Sequence, residues 1–170
     1  GPGELANLDQ PEGEAASYAF DDEGTPAKKE HIIKDGILVR PLGGATSQAR
    51  AGTPGVANAR ATSWNRPPID RMANLNLECG KSTLQDMIGS VDKGVLLATN
   101  CSWSIDDSRN KFQFGCEMGW VIEGGKQQSL VRKPNYRGRS AEFWRNLKMV
   151  GDKSTQGVMG SPYCGKGEPN

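Results

Sequence analysis

Near its carboxyl end the chain reads SPYCGKGEPN, Ser161 to Asn170, which sets Cys164 in a glycine- and proline-rich stretch beside Lys166. A thiolate is the form of cysteine that binds metal, and a nearby ammonium together with loop N–H groups favours that form. Neighbouring glycines let the backbone come close to an ion. Zinc, however, takes three or four protein ligands. Cys164 and His31, the only histidine, cannot fill such a set. If the stretch is a metal loop, its partner ligands come from another segment of protein. The residues also leave open a surface turn carrying an incidental cysteine.

Cys79, Cys101 and Cys116 form no Cys-x-x-Cys pair and no tight framework, which points to a reducing cytoplasm. Cys116 alternates with apolar neighbours and reads as a small core residue. His31 stands beside two isoleucines and reads as a strand-end residue. Pairing it with Cys164 would make a thiol hydrolase, but no nucleophile motif accompanies either residue.

The whole-chain numbers bound the class. A length of 170 residues suits one domain, taken as residues 5–170, and Gly1-Pro2-Gly3 reads as a cleavage scar within a tag remnant over residues 1–4. No apolar run approaches the roughly 20 residues that cross a bilayer, so no membrane partner is expected. The 21 basic and 20 acidic side chains nearly balance. Bulk charge therefore gives no reason to expect nucleic acid as a partner. Arg132, Lys133, Arg137 and Arg139 flank Tyr136 in the only local basic-aromatic cluster, which reads as a solvated loop ahead of a helix. With 22 glycines, 10 prolines and 35% hydrophobic residues, much of the chain should be turns and irregular connections.

The elements that must position these residues follow from local pattern. HIIKDGILV, His31 to Val39, predicts a hairpin, because Asp-Gly between apolar pairs suits a type I′ turn. Arg40 to Pro68 shows neither a helical nor a strand period and is expected to be a long, mobile loop. Ser82 to Gly94 predicts a helix with Ser82 as N-cap, Gln85 closing a capping box and Gly94 at the C-cap. A short buried strand should follow over Gly94 to Thr99. From Phe112 to Ile122, large residues occupy every second position, the mark of a strand buried on one face. Gly124-Gly125 should reverse it into a partner strand, while Gly115 and Gly119 leave room for close-lying backbone. A last helix is expected from Ser140 to Gly151. The predicted class is α+β, mainly antiparallel β-sheet with two helices packed on one side and long irregular loops.

Taken in order, FDDEGTPA (Phe20 to Ala27), the Asp-Gly hairpin, SWSIDD (Ser102 to Asp107), FQFGCEMGWVIEGGK (Phe112 to Lys126), FWRNLKMVGD (Phe143 to Asp152) and SPYCGKGEPN form a recognisable series. The series resembles the carboxyl-terminal half of the TldD/PmbA family of metallopeptidases, also labelled modulators of DNA gyrase, over nearly the whole chain.

In the metal-bearing, TldD-like branch of that family, two histidines of a helical HExxxH motif and one cysteine hold zinc, and the motif's glutamate is the general base. The resemblance implies that Cys164 is the third metal ligand, and that Ser161, Gly165 and Lys166 contact substrate. It also implies a part of a peptidase acting on unfolded or extended polypeptides, supplying one ligand and substrate walls. The HExxxH motif is absent from this sequence, so residues 1–170 alone are expected to bind no zinc and to be inactive. The implied partners are the polypeptide substrate, the amino-terminal half of its own protein and a related metal-free subunit. A non-catalytic interaction module, or that sister subunit itself, is the alternative.

Overall fold

The computed structural model describes residues 17–159, which fall into two compact units, one containing residues 17–77 and 158–159 and the other Glu78–Gly157. In the first unit, β1 (Ile33–Lys34) pairs antiparallel with β2 (Ile37–Leu38). The turn between them places Asp35 at φ 52° and Gly36 at φ 77°. Two successive positive φ values are what a type I′ turn demands, so the Asp-Gly reading holds.

The stretch from Arg40 to Pro68 departs from expectation. It contains α1 (Ala45–Ala51) and β3 (Ala59–Arg60), which pairs with β4 (Ile69–Asp70). Asn58 and Ala59 are each only 1% exposed. The order comes from contacts with residues far away in sequence, which no local period can reveal.

The second unit is built on a four-stranded antiparallel sheet. β5 (Lys93–Ile105) pairs with β6 (Lys111–Glu123), β6 with β7 (Lys126–Arg132), and β8 (Asn135–Arg139) also with β6. Because β5 pairs along the length of β6, β8 lies on the opposite flank, in line with β7. The β6–β7 turn is Gly124-Gly125, at φ 54° and 71°. The predicted short strand at Gly94–Thr99 is thus the first half of a strand of 13 residues. It bulges between Asn100 and Ser102, just after Thr99, which takes φ 57°.

Gly119 meets the expectation of close backbone. A Cβ there would lie 2.7 Å from the Leu96 carbonyl oxygen and 3.2 Å from Pro134 Cγ. On one face of β6, Cys116 and Ile122 are buried. Phe112, Phe114 and Tyr136 gather there with Phe143, at ring separations of 5.2 to 6.1 Å.

Two helices border the sheet. α2 (Leu84–Gly89) begins one residue later than predicted: Thr83 is the N-cap and Asp86 completes the capping box. It ends at Ser90, well short of Gly94. α3 (Ser140–Arg145) stops five residues before Val150, because Gly80 donates to the Gly151 carbonyl at 2.8 Å and draws the following segment into extended backbone. The α+β class holds, with three short α-helices among the described residues.

Candidate functional site

Cys164, Ser161, Gly165 and Lys166 lie outside the described residues. His31 is exposed just ahead of β1. Of the other cysteines, Cys116 is buried and Cys79 and Cys101 are exposed. Among the described residues no group of three or more His, Cys, Asp or Glu side chains could hold a metal ion. The described part of the chain therefore offers no zinc donor set of its own.

What the first unit does build is a carboxylate network on the FDDEGTPA motif. Phe20 bridges to Pro26 across a tight turn. Inside it Asp21 is 5% exposed, and its Oδ1 accepts the N–H groups of Glu23 and Thr25 at 3.1 and 2.8 Å. Asp21 Oδ2 accepts from Ala59 N at 3.2 Å, and Asp22 Oδ2 from Ala61 N at 2.7 Å. Glu23 Oε2 accepts from Ala45 N at 2.5 Å. Asp70 adds Oδ1 to Gly44 N at 2.6 Å and Oδ2 to the Ser47 hydroxyl. A Cβ on Gly44 would fall 2.5 Å from that Glu23 oxygen, so glycine is what lets the carboxylate reach the backbone.

Asn58 completes the set. Its Oδ1 accepts from Gly43 N at 3.1 Å and its Nδ2 donates to the Arg71 carbonyl at 2.6 Å. Tyr18 donates its hydroxyl to the Ala57 carbonyl at 2.6 Å. Burial pushes its phenol up from the ordinary value, with the Arg60 cation opposing. The arrangement pins residues 43–61 through polar bonds: each of these carboxylates is spent on backbone N–H groups or a hydroxyl, an arrangement that fixes a loop rather than one that transfers protons.

The network was not anticipated. Its signal was the Asp-Asp-Glu-Gly run itself, since aspartate readily accepts from backbone N–H groups two residues on, but its targets at Gly43 to Ala45 and Ala59 to Ala61 are remote in sequence. In the second unit most of the basic-aromatic cluster is strand rather than loop: Arg132 ends β7, Lys133 lies in the connection at φ 49°, and Tyr136, Arg137 and Arg139 belong to β8, with Tyr136 directed to the aromatic face and the two arginines to the other.

Comparison with known proteins fixes the family. Residues 4–165 match the model of the PmbA/TldA metallopeptidase C-terminal domain. The chain belongs to that family. It is 32% identical over 156 residues to the metalloprotease TldD homologue of Buchnera aphidicola, covering 91% of this chain and 32% of that protein. A metalloprotease of Synechocystis is 30% identical over 172 residues, covering 100% of this chain and 36% of its own length. The chain thus spans about a third of the curated relatives it matches. Among solved structures, TldE from Thermococcus kodakarensis superposes with a TM-score of 0.66 at 21% identity, over 79% of this chain and 30% of that one. At that identity the likeness establishes the fold.

Proposed function

We propose that this chain is the carboxyl-terminal part of a metal-dependent peptidase acting on extended polypeptides, with Cys164 as the third metal ligand and Ser161, Gly165 and Lys166 against the substrate. The observation that carries it is the family match over residues 4–165, together with relatives named metalloproteases. Zinc is the metal the family resemblance implies, held in the intact protein with residues beyond this chain. When bound it would polarise the peptide carbonyl. A long sheet with open strand edges suits a backbone-reading enzyme, since backbone groups are the same in every peptide.

The second unit also supports a partner. Trp103, Ile105 and Leu130, which pair with Phe114, Phe112 and Trp120 on one face of β6, are 62%, 49% and 64% exposed. Apolar surface on this scale is stabilised by cover. The remaining two-thirds of the parent protein, and a related subunit, are the cover we assign to it. No helix among the described residues is long and apolar enough to cross a membrane, and a cytoplasmic location is part of the proposal.

The test is Cys164→Ala in the full-length protein, with Cys116→Ala as contrast. Cys164→Ala should abolish metal retention and peptide cleavage and leave the fold intact. Cys116→Ala, at a site 5% exposed, should cost about 1 kcal/mol of stability and spare the metal. Retained metal and cleavage in Cys164→Ala would remove Cys164 from the site.

A further inference from the structure

A groove of about 380 Å³ is lined by Arg137, Gly138 and Arg139 of β8, by Glu142 and Phe143 of α3, and by Leu147 and Lys148 just after it. Two features of β8 bear on what it could hold.

The first is the hydrogen-bond phase of the strand. Cys116 N donates to the Pro134 carbonyl and Ser140 N to the Asn110 carbonyl, each at 2.8 Å, which fixes the bonded pairs at the two ends of the β6–β8 ladder. Bonded pairs recur every second residue in an antiparallel ladder, so Tyr136 and Gly138 carry the bonds to β6. The backbone N–H and C=O groups of Asn135, Arg137 and Arg139 consequently point away from β6, along the flank with which no other strand among the described residues pairs. A strand edge of this kind pairs with another extended backbone.

The second feature is charge. Arg139 stands directly opposite Lys111 in the register, with Arg137 opposite Gln113. Like charges placed opposite each other repel. Glu142 answers only one of these cations, at 3.5 Å from Arg139 with both side chains well exposed. Asp106 lies near Lys111, but its Oδ1 is taken up by the N–H groups of Asn110 and Lys111. Arg137 and Lys148 add to the excess along the groove. Phe143, 44% exposed, and Leu147, 46% exposed, give it an apolar wall.

We propose that this groove is a docking edge for an extended acidic segment of a polypeptide partner, which adds a strand to β8 and sets its carboxylates among Arg137, Arg139 and Lys148. Backbone pairing distinguishes this occupant from nucleic acid, because a strand edge presents donors and acceptors alternately and a phosphate chain supplies acceptors alone. The proposal rests on β8 and α3 alone and does not depend on the peptidase reading.

Fluorescence anisotropy on the 170-residue chain tests it, with a short labelled peptide alternating Glu and Val, its Lys–Val counterpart, its backbone N-methylated form and oligouridylate as probes. The Glu–Val peptide should bind, weakening as salt rises, and Arg137→Glu should weaken it about tenfold. Should that variant not fold, N-methylation of the peptide tests the edge on the unaltered chain and should abolish binding. Equal binding of the N-methylated or Lys–Val peptide, tighter binding of oligouridylate, no binding of the Glu–Val peptide, or an undiminished affinity in folded Arg137→Glu would overturn the proposal.

Discussion

Asp21 reaches 38 residues along the chain to Ala59, accepting its backbone N–H through Oδ2 at 3.2 Å while Oδ1 holds the turn that Asp21 itself begins. One buried carboxylate thus closes a local turn and anchors a remote strand. Among the described residues of this unit only Ala27 and Ala59 are buried apolar residues, so polar bonds bear much of the order there.

Replacement of that carboxylate should be costly. Asp21→Ala leaves the N–H groups of Glu23, Thr25 and Ala59 without their acceptor, and loss of charged hydrogen bonds at a buried site is expected to cost on the order of 3 kcal/mol. Asp21→Asn keeps one acceptor oxygen and should lose less. Amide hydrogen exchange reads the result: residues 43–61 should lose protection in Asp21→Ala while β6 keeps its own. Unchanged exchange at 43–61 would show that the network is ornamental to the fold.

The second unit depends on a different kind of closeness. With 2.7 Å between a would-be Cβ at Gly119 and the Leu96 carbonyl oxygen, Gly119→Ala must push β5 away from β6 or bend it. Overpacking of this kind costs about 1 to 3 kcal/mol. Gly157→Ala is the control, because nothing lies within 4 Å of its Cβ position. Urea unfolding of both variants, followed by tryptophan fluorescence, should show a lowered midpoint for Gly119→Ala alone.

These two cases also show what could be read in advance. The β6 alternation and the two Gly and Asp-Gly turns are local signals, written in neighbouring residues, and they were legible. The cap of α2 was legible only to within a residue, since Ser82 with Gln85 and Thr83 with Asp86 are overlapping boxes. The carboxylate has the advantage there: Asp86 Oδ2 accepts from both the N–H and the hydroxyl of Thr83. The end of α3 was not legible, because Gly80 and Ser82 pair with Gly151 and Asp152 from a distance. The order of residues 43–61 was hidden for the same reason. For the site, the family was legible from the motif series, whereas the Asp21–Asn58–Asp70 network and the open edge of β8 required the fold.

A last prediction concerns acid. Thr83's hydroxyl, then its N–H, hold the Asp86 carboxyl below the usual carboxylate range. The N–H of Lys111 does the same for Asp106, whose turn leads into β6. In each case the folded value lies below the unfolded one. The stabilisation is therefore complete above the unfolded value and is lost as pH falls from there through the folded one. Carbon-13 chemical shifts of the two carboxyl groups should titrate at lower pH than in a denatured reference. The Ser90 amide, bonded to the Asp86 carbonyl at 3.0 Å, should lose exchange protection over the same acidic window as the cap weakens. Asp86→Asn keeps an acceptor for the Thr83 groups but cannot titrate, so it should remove the local pH dependence and leave α2 in place. If both carboxyl groups titrated at or above their denatured values, neither the capping box nor the turn at Asp106 would be the stabilising contact that its geometry indicates.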